Sequence, residues 1–199
     1  LIDGTVYPDI EEFWFDLCAA YQDEIAYLSD AGCNYLQLDD TTFAMLCDPK
    51  IRDQMTERGD DPNQLIKTYA KGIANALSEK PADMTVTVHM CRGNFKSSWI
   101  AEGGYEAVAE TMFSNVPVDG FFMEWDTDRA GGFEPLRYAP RDKIIVLGLV
   151  STKLPHLETK DDLKRRIDDA AKYIPLENLC LSPQCGFASM AVGNNLSED

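Results

Sequence analysis

The 199 residues are 45% hydrophobic, enough to bury a sizeable core and too many for a disordered chain, and one domain is the default at this length. Asp and Glu number 34 against 18 Lys and Arg, a formal net charge of −16, which argues against nucleic acid as a partner because phosphate binding relies on clustered cations. No run of about 18 apolar residues occurs and the first residues lack a basic-then-apolar pattern, so the expectation is a soluble, cytoplasmic protein with no membrane partner.

Along the chain, Phe13, Leu17, Tyr21, Ile25 and Leu28 recur at three- and four-residue steps and predict an amphipathic helix over 10–30, ended by Ala31-Gly32. Residues 33–38 (CNYLQL) read as a short buried strand that delivers Asp39 and Asp40 at its C-terminal end. The stretch 62–79 reads as a helix with Pro62 in its first turn. A second strand, 84–89 (MTVTVH), is followed by the loop RGNFKSSWIAEGG and a helix over 104–114. Residues 119–124 (DGFFME) make a third strand, and the loop after it, WDTDRAGGFEP, is long and Gly-rich. A fourth strand covers 143–149 (KIIVLGL), a charged amphipathic helix 159–173, and a fifth strand 177–182 (ENLCLS), just before PQCG.

Strands alternating with helices predict parallel pairing with right-handed crossovers, an α/β fold of the (β/α)8 TIM-barrel type. A closed barrel takes about 250 residues and eight strands, whereas five strands are visible and the chain stops in a polar tail, GNNLSED. The expectation is a single domain over 1–199 that forms the C-terminal part of such a barrel in a longer polypeptide.

In these folds chemistry sits at the C-terminal ends of the strands. That rule singles out Asp39 and Asp40, His89 and Cys91, Glu124, Ser151 to Lys153, and Cys185. Residues two apart on a strand point to one side, so His89-x-Cys91 aims an imidazole and a thiol at one point, a pair suited to Zn²⁺; the alternative is a hydrogen-bonded histidine beside a buried thiol. Cys185 follows a buried strand in the turn SPQCGF. Glu124 ends the apolar run GFFM, where a carboxylate must be paired or bind a metal; Arg129 or Arg92 is its alternative partner. The six cysteines show no framework spacing, and reduced thiols are expected.

Three segments, VTVHMCRGNF, DGFFMEWDTDRAGGFEPL and NLCLSPQCGFAS, occurring in this order, resemble the C-terminal catalytic half of cobalamin-independent methionine synthase, and still more its shorter relatives, the methionine synthase II or YxjG-like proteins. The resemblance implies a Zn²⁺ cofactor held by His89, Cys91, Glu124 and Cys185. It also implies that Asp39 binds the amino group of homocysteine, while Asp40, in place of a family Glu, supports the loop. The other cysteines, Cys18, Cys33, Cys47 and Cys180, match no ligand position.

Two positions depart from the family. Met45 stands where the long enzymes have a folate-contacting Glu, and Lys153, in GLVSTKLPH, stands where the family has a proton-transfer histidine; His156, three residues on, reads as surface. The implied reaction is methyl transfer to a thiol sulfur, most naturally homocysteine to methionine, with a methyltetrahydrofolate as the family's donor. Alkyl transfer to another thiol of the coenzyme M kind from a corrinoid or epoxide, and a non-catalytic zinc-binding relative, remain the alternatives. Arg92, Lys96 and Arg129 lie near the predicted active face, either to meet an anionic donor or as solvated charges.

Overall fold

The computed structural model describes residues 2–186 and 191–196. Helix α1 (Ile10–Asp30) starts where Asp9 accepts the Glu11 N–H and carries Glu11 and Glu12 in its first turn, both favourable at the positive end of a helix. It ends at Ala31, followed by Gly32 at φ +91°, a conformation that costs glycine little. Strand β1 (Tyr35–Asp40) runs two residues further than its hydrophobic pattern, because Asp39 and Asp40 stay in register with β2.

Two helices that the periodicity did not reveal follow, α2 (Thr42–Met45) and α3 (Pro49–Glu57). Helices α3 and α4 (Pro62–Ala76) begin alike: Asp48 and Asp61 accept N–H groups of their own first turns, and each is followed by a proline whose missing N–H costs nothing there. The predicted helix over 104–114 is instead a 3-10 turn, Tyr105–Ala107, followed by the short α5 (Ala109–Asn115), with the Tyr105 side chain fully inside. The remaining elements are β2 (Thr85–Met90), β3 (Gly120–Glu124), β4 (Ile144–Val150), α6 (Lys160–Ala170) and β5 (Leu179–Pro183). The loop after β3 is shaped by 3-10 turns at Asp128–Ala130 and Glu134–Tyr138. Residues 187–189 of the NLCLSPQCGFAS segment and 197–199 of the polar tail lie outside the described residues.

The five strands form one parallel sheet in the order of the chain, β1-β2-β3-β4-β5. A doubly wound sheet reverses its strand order, whereas this sequential winding is that of a barrel wall. One face is apolar: Val86, Val88 and Met90, Phe121 and Met123, Ile145, Leu147 and Leu149 have no exposed surface and join the helices in a single core. The alternate residues form the other face, where the register sets Asp39 beside His89 and His89 beside Phe122, with Glu124 beside Gly148 two residues on. The strand ends therefore deliver their polar side chains to one side, as period-two alternation requires.

Candidate metal centre

The centre is built on β2 and the turn after β5. His89 is the penultimate residue of β2 and Cys91 is the residue just past the strand, still tied to β1 by its N–H on the Asp40 carbonyl (3.0 Å). Cys185 reaches the same point from the far edge of the sheet. Ligand atoms of His89, Cys91 and Cys185 all lie within 4.8 Å of one another, and the two sulfurs are 3.3 Å apart. Donor atoms on one tetrahedral Zn²⁺ stand roughly 3.4–3.8 Å from each other at ordinary bond lengths, so the group has the size and the soft N/S character of a zinc shell.

Cys185 is held in place against the preference of its own backbone. It adopts φ +50°, a left-handed conformation uncommon for a residue with a Cβ. The preceding residue anchors it: Gln184 is buried, its N–H donates to the Val150 carbonyl (2.9 Å), its Nε2 to the Met123 carbonyl (3.1 Å), and its carbonyl accepts the Thr152 hydroxyl. The side chain of Gln184 crosses β4 at Gly148, where an added Cβ would stand 1.5 Å from Nε2. Neither Gln184 nor Gly148 was marked by spacing, although a lone glycine inside IIVLGLV is the signal of a close approach.

The two thiols share a proton unequally. The hydrogen bond from Cys185 is the chief cause that brings Cys91 down from 9.0 to about 6; burial opposes it, the Gly93 N–H (3.2 Å) and His89 assist, and the charge of Glu124 opposes. The same contact, with burial, drives Cys185 far up, against the nearby charge of Lys153. In the metal-free pair this contact favours the thiolate on Cys91, with Cys185 as its donor.

Asp39 does not cap the following turn. That role falls to Asp40, whose Oδ1 accepts the Phe43 N–H (2.9 Å), and its burial raises its pKa. Asp39 Oδ1 lies 2.8 Å from His89 Nδ1. A carboxylate can only accept, so Nδ1 carries the proton and Nε2 presents the lone pair that a metal takes. The Asp39 side chain is 70% exposed, at a cleft of about 590 Å³ lined by Gln37, Asp39, His89, Cys91, Ser182 and Cys185, among others.

Glu124 is fully buried and stands apart from the three-donor group. One carboxylate oxygen pairs with Arg129 in a short contact and the other lies 3.4 Å from the ammonium of Lys153, itself fully buried. Its backbone is fixed by Tyr105, whose hydroxyl accepts the Glu124 N–H (3.0 Å) and donates to the Glu124 carbonyl (3.3 Å). Arg92 lies over the Tyr105 ring at 4.6 Å. Arg92 and Arg129 are therefore interior, not solvated surface charges, while Lys96 and His156 are exposed. Cys18 and Cys47 are buried, Cys33 is partly buried and Cys180 is exposed, all away from the centre.

Comparison with known proteins accords with this arrangement. Residues 8–197 match the family described as "Cobalamin-independent synthase, Catalytic domain". The chain is 50% identical over 192 residues to Bacillus subtilis YxjG, covering 96% of this chain and 51% of that one. It superposes with a TM-score of 0.75, at 45% identity, on the crystal structure of a candidate vitamin-B12-independent methionine synthase from Listeria monocytogenes, covering 92% of this chain and 51% of the other. A more distant match is the 5-methyltetrahydropteroyltriglutamate–homocysteine methyltransferase of Bacillus velezensis, 23% identical over 176 residues and 21% of that enzyme's length. The fold and the ordered strand ends define a wall of a methionine-synthase-type α/β barrel. The chain belongs to the cobalamin-independent methionine synthase catalytic-domain family, and it spans about half the length of YxjG and of the Listeria protein.

Proposed function

We propose that the protein is a zinc-dependent methyltransferase that methylates the sulfur of a small thiol, homocysteine to methionine, with a methyltetrahydrofolate as donor. The observation that carries this reading is the convergence of His89, Cys91 and Cys185 within 4.8 Å, with the histidine oriented by Asp39. These three would hold Zn²⁺, with Glu124 as the fourth ligand; a bound Zn²⁺ supplies thiolate formation at neutral pH, and three anionic ligands keep the substrate sulfur electron-rich. Asp39, exposed at the cleft, supplies the negative charge that attracts the ammonium of an amino-acid thiol while it fixes the His89 tautomer. Lys153 holds a positive charge beside Glu124 and Cys185, where it serves proton movement in place of the family histidine.

Met45 favours a second reading in which the methyl donor differs. It stands where the family's long members carry a folate-contacting carboxylate, so alkyl transfer to another thiol from a corrinoid or epoxide is the competing activity. The test is product analysis on the purified protein, with homocysteine and methyltetrahydrofolate in one arm and a coenzyme M-like thiol with a methylcorrinoid in the other. Methionine formed by the wild type and lost in Cys185→Ser supports the first reading. Turnover only in the other arm supports the second, and no turnover in either leaves a non-catalytic zinc protein.

A further inference from the structure

We propose that Arg129 is a positioning residue that competes with the metal for Glu124, giving this ligand two cationic stations and setting how readily a substrate sulfur takes the fourth site. The inference rests on the zinc reading above. Glu124 has no exposed surface, so its carboxylate cannot rely on water and must lie against positive charge wherever it points. Both oxygens are engaged, one by Arg129 and the other by Lys153, and a bond to a metal at the three-donor group requires that an oxygen leave one of these cations. Arg129 is well suited to wait for its return. Its guanidinium has anchors independent of Glu124: Nη1 donates to Thr127 Oγ1 (2.6 Å), Nη2 to Asp126 Oδ1 (2.7 Å), and its plane lies over the Trp99 ring at 4.5 Å.

These anchors keep the guanidinium in place whether or not the carboxylate is on it, so when Glu124 leaves Arg129 with Lys153 still on its other oxygen, no buried charge is left unpaired. A carboxylate handed between two fixed cations is a ligand that yields to an incoming thiolate. Asp126 remains paired with Arg129 throughout, and Arg166 closes the same corner on the carbonyls of Trp125 and Asp126.

The test measures zinc affinity by competition with a chromophoric chelator, and homocysteine binding by the visible spectrum of the Co²⁺-substituted protein. Arg129→Gln removes the competitor, so zinc should be held about tenfold more tightly and homocysteine bound about tenfold more weakly, the lower end of what outer-shell partners do to metal sites. Arg129→Lys keeps the charge and should fall between the two. In a Glu124→Gln background the Arg129→Gln change should have no further effect on either quantity, which separates competition for the carboxylate from general loosening. Unchanged or weaker zinc binding in Arg129→Gln, or the same gain in the Glu124→Gln background, overturns the proposal. If the wild type and Cys185→Ser bind zinc alike, it is the zinc reading itself that fails.

Discussion

The unequal thiol pair makes Cys91 a chemical reporter of the centre's geometry. A pKa brought from 9.0 to about 6, mainly by the Cys185 hydrogen bond, corresponds in metal-free protein to about nine-tenths thiolate at pH 7, against about one part in a hundred for a thiol left at 9.0. Nucleophilicity falls with pKa, by roughly twentyfold over three units, so the net gain in alkylation rate at pH 7 is only about fourfold. The position of the pH profile is therefore the better observable. In chelator-treated protein, the rate of Cys91 carboxamidomethylation, followed by peptide mass analysis, should rise with pH and reach its half-maximum near 6, because the reactive form exists above the lowered pKa. Replacing the donor with Cys185→Ala should move that midpoint upward by more than one unit, leaving only the Gly93 N–H and His89 to hold it down. A wild-type midpoint near 9, or one that Cys185→Ala leaves in place, refutes the hydrogen-bonded pair.

Three further outcomes follow from the packing around the centre. Gly148→Ala should dislodge the Gln184 side chain from the Met123 carbonyl, lower stability by about 1–3 kcal/mol in urea unfolding, and weaken zinc binding through Cys185. Asp39→Ala frees the His89 ring, and its zinc affinity should fall about 10–100-fold in chelator competition, with the homocysteine KM rising as well. Tyr105→Phe leaves the Glu124 N–H buried without its acceptor, a loss of about 1–3 kcal/mol measurable by chemical denaturation.

The strands were legible as short runs bounded by turn residues, although β1 and β5, read as buried, contain no buried residue; the shared placement of Asp39, His89 and Glu124 follows from period two and parallel pairing, whereas Cys185 lies in the turn after β5 and is placed by Gln184. Helices α2 and α3 were not, since α2 is only one turn long and α3 is largely polar; the Asp48-Pro49 start, repeated at Asp61-Pro62, was the available signal. What sequence spacing does not encode is which of two partners a charged group takes. Asp39 and Asp40 are neighbours on one strand, and only the register shows that the first meets His89 and the second caps α2. The same holds for Glu124, whose alternatives, metal or Arg129, become two stations of one carboxylate in the proposed exchange. Gln184 was invisible because its role lies in crossing Gly148 from the turn after β5, a contact 36 residues away that no local pattern records.

In the proposed centre His89, Cys91 and Cys185 hold a zinc that accepts a substrate sulfur. Zinc X-ray absorption on the purified protein, with and without homocysteine, tests it most directly. The expected result is one zinc per chain with two sulfur neighbours and the rest nitrogen or oxygen, rising to three sulfurs when homocysteine is added. Protein that binds no zinc, or a zinc whose sulfur count is unchanged by homocysteine and by every other thiol tried, would contradict it.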